Sequence, residues 1–369
     1  SQVDLMVRLT RLMLSAQFFF LLSNFMTAII QTHQRFLLPA LSPLIYNLTI
    51  IISIYFGFST WGNFAPAVGV VIGAFLHFLI QLPLSLRLGF RYHTVIDLAL
   101  SGVRQIGRLM LPRTLSLAVT QIELTVSLFL ATSLAPGSLA IFNLAQNLMS
   151  LPVRLFGTTI GQATLPSLAK DFTQKELPEF KSIFINSFLQ LMYLVLPAAS
   201  ILLVLRVPLV RIAFGAKTFP WQATLLTGRV LAFFFMAIFT QAAIQLIVRA
   251  FYATHDTKTP FFISFISVIL NILLAIFLTF RLKWGVIGLA AANSVSSLFQ
   301  SLFLLIFLDH KLKHFNRQLL FIPLFKMTFA SALCAVFLWL PMRFLDRYVL
   351  DTTRTINLIA LTILATLTG

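Results

Sequence analysis

Charge is what this 369-residue sequence has least of: 10% of its residues are Asp, Glu, Lys or Arg, against about 25% in a soluble domain. Acidic residues are scarcer still, 10 against 27 Lys and Arg, which leaves a formal net charge of +17. The one cysteine, Cys334, lies inside an apolar run. It excludes an intramolecular disulfide and any cysteine-cluster metal site. No Gly-rich loop ending in Lys-Ser or Lys-Thr is present to cradle a nucleotide phosphate, which argues against ATP-driven pumping. Of the six histidines only His310 and His314 have a helical metal-ligand spacing. They sit among Lys311, Lys313 and Arg317, whose charge opposes a cation, so a solvated loop face is favoured. No Ser/His/Asp or Cys/His constellation is evident. We expect no enzyme activity and no cofactor. A charge of +17 in a soluble chain would suggest nucleic acid, but these bases fall in short loops between apolar spans, and no basic stripe interleaved with aromatics stands out. No nucleic-acid partner is expected. No signal peptide with a cleavage site is visible.

What is present is apolar. The sequence is 59% hydrophobic with a mean hydropathy of +0.95. The 39 Phe residues suit lipid-facing surfaces but chiefly fill greasy helices. The expected fold class is an all-α polytopic membrane protein surrounded by membrane lipids. Eleven apolar stretches run near 12–31, 37–58, 65–86, 114–134, 139–167, 184–205, 224–252, 260–280, 285–308, 320–341 and 355–369. The last has 15 residues, short for a span of roughly 20, so a truncated chain is expected.

Two of these stretches organise the rest. Arg113 to Leu134 and Leu139 to Pro166 are separated only by Ala135-Pro136-Gly137-Ser138, which predicts an antiparallel helical hairpin. Polar residues recur on both at helical spacing. The first stripe is Arg113, Ser116, Thr120, Glu123 and Ser127. The second is Asn143, Asn147, Ser150, Arg154, Thr158 and Gly161. At 3.6 residues per turn each set lies on one face. Glu123 and Arg154 fall near mid-span, where a charge is costly unless it faces the bundle interior or a wet cavity. The hairpin is therefore expected to form one wall of a polar, membrane-embedded cavity.

The loops set an orientation. On one side lie Arg35, Arg87, Arg91, Arg104, Arg108, Arg113, Lys170, Lys175 and Lys181, against Arg8 and Arg11 on the other through the same part of the chain. The early bias places the 32–36 loop in the cytoplasm. His93 to Arg108 predicts a basic amphipathic helix on the cytoplasmic face, or a solvated linker, and marks the best lobe boundary. Lys170 to Lys181 predicts a solvated turn or short helix. Pro83 and Pro152 lie within spans and predict kinks, since each removes a backbone donor.

Several local patterns match one family. Gln34-Arg35-Phe36-Leu37-Leu38-Pro39-Ala40-Leu41-Ser42-Pro43 through Asn47, and Gly73 through Gln81-Leu82-Pro83, resemble two helices of the MurJ/MviN lipid II flippases. So do Leu148-Met149-Ser150-Leu151-Pro152, Phe156-Gly157, and Gly161 to Leu168. Phe251-Tyr252-Ala253-Thr254-His255-Asp256-Thr257-Lys258-Thr259-Pro260 is close to a characteristic loop of that family. The similarity spans most of residues 5–310. It implies a two-lobe helical bundle of the MOP exporter type. Residues 1–100 would be the second half of the N-lobe plus an interfacial linker, 101–310 a six-helix C-lobe, and 311–369 a truncated C-terminal helix pair that shapes a groove for a lipid tail. Three helices would be missing upstream. The implied activity moves lipid-linked peptidoglycan precursor across the cytoplasmic membrane by alternating access, with cell-wall synthesis proteins as further partners.

One departure matters. Where the family usually has Ala-Asp-Arg-Leu-Met, this chain has Ala145-Gln146-Asn147-Leu148-Met149. Arg154 lies two turns along the same face, and we expect it to take over anion binding, held by Glu123. Pairing about the 135–138 turn sets Glu123 opposite roughly residue 150, so Arg154 is offset by about 6 Å. The expected cavity residues are Arg154, Glu123, Asn147, Asn143, Gln146, Thr120 and Ser127, with Arg35, Asp256 and Lys258 in the cytoplasmic motif loops. The competing readings are another MOP-type polysaccharide, lipid-oligosaccharide or drug exporter, and a non-transporting scaffold for cell-wall synthesis. A drug exporter would be expected to rely more on intramembrane acids than the single Glu123 seen here.

Overall fold

A computed structural model describes residues 2–33, 35, 37–90, 114, 118–119, 121–215, 219–315 and 317–348. The expected amphipathic helix 93–108 and the stretch 355–369 lie outside the described residues. Where water is absent, every backbone N–H and C=O must be bonded within the chain, and runs this apolar answer with helices. Among the described residues there is no strand. Seven helical runs are long and apolar enough to cross a membrane. One of them, Leu37–Arg87, contains two of the expected stretches. Another expected span, 139–167, is helical but interrupted, and is not among the seven.

The chain separates into two compact units, Ser1–Leu100 and Ser101–Gly369. In the first, α1 (Gln2–Thr32), α2 (Leu37–Trp61), α3 (Ala65–Leu79) and the short α4 (Leu82–Arg87) form an up-down-up bundle. A single 3₁₀ turn, Gly62–Phe64, reverses α2 into α3, and Gly62 supplies the positive φ of +51° that this reversal needs. Gly69 faces Ser53 and Gly73 faces Tyr46, so the two helices run antiparallel in close contact. A methyl group at Gly69 would come within 2.7 Å of Ser53 Cβ. Along the other side, Phe19 meets Phe75, Ser23 meets His77 and Thr27 meets Gln81, so α1 runs parallel to α3. Pro83 sits in the first turn of α4, just after α3 stops at Leu79. The kink expected there is a helix break.

The second unit begins, as described, with α5 (Gln121–Thr132). The turn to α6 (Ser138–Pro152) places Gly137 at φ +88°, which completes the expected hairpin. At Pro152 the helix loses a donor and widens into a π-helical segment, Val153–Thr158, before α7 (Thr159–Thr173) resumes. A tight turn at 174–176, with Lys175 at φ +60°, leads into α8 (Leu177–Val204). Then follow α9 (Arg206–Phe214), α10 (Trp221–Phe233), α11 (Phe235–Ala253), α12 (Lys258–Ile276) with a π segment to Arg281, α13 (Val286–Lys311) and α14 (Arg317–Tyr348). The core gathers on α11, whose Ala242, Ala243, Leu246, Ile247, Ala250 and Phe251 are buried. Small residues let neighbours come close, the usual basis of helix packing in lipid. A methyl group at Gly157 would come within 2.9 Å of the Cα of Ala242. Phe180 and Phe184 of α8 are fully buried against the same core.

Candidate polar site of the second unit

The exposed surface of the second unit is not uniform. Phe262, Phe265, Ile266, Ile269 and Leu273 cover the outside of α12, and Leu302, Phe303, Ile306 and Phe307 that of α13. Phe321, Phe325, Phe329 and Phe337 do the same on α14. Along α6, the π segment and α7 the exposed row instead includes Asn147, Arg154, Thr159 and Gln162, with Leu151 and Leu155 between them. The π segment redirects this row. In a continuous α-helix the face carrying Arg154 would go on to Thr158 and Gly161, as expected from spacing. A turn closed by i to i+5 bonding takes up about one more residue, and the exposed positions become Thr159 and Gln162. Thr158 is half-buried, and Gly161 is buried against Arg249.

A second polar feature lies inside the unit. A cavity of about 240 Å³ is lined by Glu123 and Gln146, by Gln241 and Gln245 of α11, and by Asn293 and Gln300 of α13, among others. Asn293 Nδ2 donates to Glu123 Oε1 at 3.3 Å, and Gln241 Nε2 donates to Asn293 Oδ1 at 3.0 Å. Around them Gln300 Nε2 donates to Ser264 Oγ, Asn271 Nδ2 to Ser296 Oγ, and Ser267 Oγ to the Ser296 carbonyl, each at 2.9 Å. A half-buried carboxylate and amides of this kind hold their geometry because each polar atom left unpaired away from water would be costly.

The expected site residues therefore divide. Glu123 and Gln146 meet at the interior cavity. Asn147 and Arg154 are exposed, whereas Asn143 and Ser127 are half-buried and do not line that cavity. Thr120 lies outside the described residues. The expected Glu123–Arg154 pair is corrected by the structure. Among the described residues no ion pair joins them, and the carboxylate is taken by Asn293. Arg154 stays on the exposed face that Asn147 and Leu151 begin, and its guanidinium forms no hydrogen bond or ion pair among the described residues.

The motif loop at 253–258 is closely tied. Asp256 Oδ1 accepts the backbone N–H groups of Lys258 and Thr259 at 3.1 and 3.0 Å, capping α12. Its Oδ2 accepts from Thr259 Oγ1 at 2.9 Å and from Lys311 Nζ at 2.8 Å, which joins the start of α12 to the end of α13. Partial burial pushes the Asp256 carboxyl up, but the Lys311 and Thr259 hydrogen bonds and the Lys311 charge outweigh it and hold it below the usual carboxylate range. Lys258 contributes its backbone N–H and leaves its side chain exposed. Arg35 is exposed, and its N–H donates to the Ile30 carbonyl at 3.2 Å.

Helical spacing marks further polar rows in this unit. Asn293, Ser296, Ser297 and Gln300 recur at helical intervals, as do Ser264, Ser267 and Asn271, and Gln241 and Gln245. The signal is the one that marked the hairpin. Arg249 belongs to α11. It is half-buried, with Nη1 donating to the Gln245 carbonyl at 2.9 Å. Among the described residues no three His, Cys, Asp or Glu side chains come together to hold a metal.

Residues 1–358 match the family model described as "Lipid II flippase MurJ". The chain belongs to that family. It is 27% identical over 333 residues to a probable lipid II flippase MurJ of Bdellovibrio bacteriovorus, covering 89% of this chain and 63% of the relative. It is 28% identical over 263 residues to one of Thermotoga maritima, covering 71% and 52%. A lipid II flippase MurJ of Burkholderia cenocepacia is 28% identical over 267 residues, covering 69% and 51%. The chain thus spans between about half and 63% of the length of these curated relatives. Among solved structures, a lipid II flippase MurJ in an inward closed conformation aligns over 95% of this chain and 70% of its own, with TM-score 0.76 and 23% identity. An inward-facing multidrug resistance MATE transporter of the MOP superfamily aligns over 84% and 72%, with TM-score 0.70 and 12% identity. These likenesses establish the fold: the chain is a multi-pass membrane protein of the MurJ family, with helices and no strand among its described residues and the fold these solved structures share.

Proposed function

We propose that this chain is the greater part of a flippase that carries lipid-linked peptidoglycan precursor across the cytoplasmic membrane by alternating access. The observation that carries the reading beyond family membership is the exposed row of Asn147, Arg154, Thr159 and Gln162, which contrasts with the apolar outer faces of α12 and α13. Acyl chains would make an exposed arginine costly, so such a row belongs against water or a polar headgroup. The cargo is amphipathic. Its sugar–diphosphate head must cross hydrocarbon while its tail stays in lipid. The planar guanidinium of Arg154 suits a diphosphate, and among the described residues it has no partner to give up. Residues 1–100 would supply half of one lobe, 101–310 the other lobe, and 311–369 the added helices. Rocking of the lobes would exchange inward and outward states. Cell-wall synthesis proteins that take up the cargo on the outer face are the expected partners.

The test uses the full-length gene in cells depleted of their own flippase. Growth restored by the natural protein and lost in Arg154→Gln at equal membrane abundance supports the reading. Gln146 and Asn147, where the family usually carries Asp and Arg, favour a second reading, a non-transporting scaffold. Failure of the natural protein to restore growth despite good membrane expression would establish that one instead.

A further inference from the structure

The first unit holds a buried polar cluster that neither the family match nor the proposed transport reading uses. Ser23 and Gln81 are fully buried between α1 and α3, and His77 is half-buried beside them. Ser23 Oγ lies 2.6 Å from His77 Nδ1 and 3.2 Å from the His77 backbone carbonyl. Gln81 Nε2 donates to Ser23 Oγ at 3.0 Å and to the His77 carbonyl at 3.1 Å, while Thr27 Oγ1 donates to Gln81 Oε1 at 2.7 Å. We propose that His77 is a proton-binding site within the first unit, and that rotation of the Ser23 hydroxyl accommodates both of its protonation states.

The argument is a count of donors and acceptors. With the ring neutral, the Ser23 O–H donates to Nδ1 and its oxygen accepts from Gln81. When Nδ1 takes up a proton, the new N–H donates to the second lone pair of Ser23 Oγ. The Ser23 hydrogen then swings to the His77 carbonyl, an acceptor already within reach. No donor in the cluster loses its acceptor in either state, so the proton binds without parting α1 from α3. A histidine serving only as packing needs one such arrangement, whereas this cluster provides two.

The surroundings leave the charge to the imidazole alone. From α2, Tyr46 approaches through Phe20, whose ring meets both Tyr46 and His77. From the start of α4, Ser85 Oγ donates to Met26 Sδ at 2.9 Å. The helix α2 carries no Asp, Glu, Lys or Arg. The nearest ionisable groups along α1 and α3–α4 toward the cytoplasmic end are His33, ten residues beyond Ser23, and Arg87, ten beyond His77. A proton at His77 therefore adds a positive charge with no counter-charge close by, and its occupancy makes the state of the first unit depend on pH.

The experiment is nitrogen-resolved NMR of the full-length protein in lipid nanodiscs with isotopically labelled histidine. One imidazole, absent in His77→Gln, should show Nδ1 as an unprotonated acceptor at high pH and gain one proton as pH falls. Ser23→Ala removes the acceptor of the charged state, whose hydrogen bond is the stronger of the two, and should move that titration down by about one pH unit. Ser23→Thr keeps the hydroxyl and should leave it near its original place. An Nδ1 that carries hydrogen at every pH, an absent titration between about pH 4.5 and 8.5, or a titration that Ser23→Ala does not move would each overturn the proposal. None of these outcomes depends on the transport reading.

Discussion

The Asp256 junction allows a graded prediction, because one carboxylate performs two separable tasks there. It caps α12 through the N–H groups of Lys258 and Thr259, and it pairs with Lys311 at the end of α13. Replacing a capping Asp by Ala costs about 0.5–2 kcal/mol. The ion pair is partly open, with 32% and 20% of the two side chains exposed, so it adds at most about 1 kcal/mol. Asp256→Ala should therefore loosen the junction by about 0.5–3 kcal/mol. Asp256→Asn keeps an oxygen for the cap but gives up the charge, and should cost about 1 kcal/mol or less. Amide hydrogen exchange over residues 256–262 in the reconstituted protein measures the difference. The expected acceleration is about 2- to 150-fold for Ala and about fivefold or less for Asn, with Ala the larger of the two. The folded carboxyl lies below its usual range. Its contribution is complete above the ordinary Asp value of about 3.9 and is lost as pH falls through the lowered folded value. Exchange, corrected for its intrinsic rate, should then be flat from about pH 5 to 8 and rise only in stronger acid. If Asn is as damaging as Ala, the cap contributes nothing and the division of labour is wrong.

Three further outcomes follow from other contacts. Gly157→Ala pushes a methyl group into the α11 backbone at Ala242 and should lower stability by about 1–3 kcal/mol in chemical unfolding. Gly137→Ala meets open space and pays only for its left-handed φ, so it should cost about 1 kcal/mol. Asn293→Leu removes the donor facing Glu123 and should destabilise by about 1–3 kcal/mol, largely relieved when Glu123→Leu is added; no relief in that double mutant would place Glu123 outside the network.

The fold was legible where a local rule decides it. Ala135-Pro136-Gly137-Ser138 announced a hairpin because Gly137 tolerates φ +88°. Pro152 announced a disturbance because it has no N–H to give. The amide and hydroxyl rows were legible as periodicity. What spacing does not contain is the partner. Asn293 is 170 residues from Glu123, and nothing near either one names the other. Nor does Pro152 say how its helix relaxes. A simple bend would have kept Arg154, Thr158 and Gly161 on one face. The π segment advances the register by about a residue, buries Gly161, and turns Thr159 and Gln162 outward.

Bonding and exposure give these two polar regions of the second unit different kinds of work. Glu123, Gln241 and Asn293 are bonded to one another inside the unit, so a ligand would have to break those bonds to use them. Arg154 is free among the described residues and exposed, so it can meet a phosphate without that penalty. Asn147 is exposed on the same helix, seven residues or roughly 10 Å before it. If the work of this face is to offer a cation to a mobile anionic head, the position of the guanidinium should matter less than its presence. Asn147→Arg, which needs no repacking because the site is open, should then restore growth to the Arg154→Gln variant in flippase-depleted cells. Arg154→Lys, which keeps charge but not the planar fork, should do so only in part. Should Asn147→Arg fail to rescue while Arg154→Lys behaves as the natural protein, Arg154 would be acting at one fixed contact, and the idea of an open, distributed polar face would have to be given up.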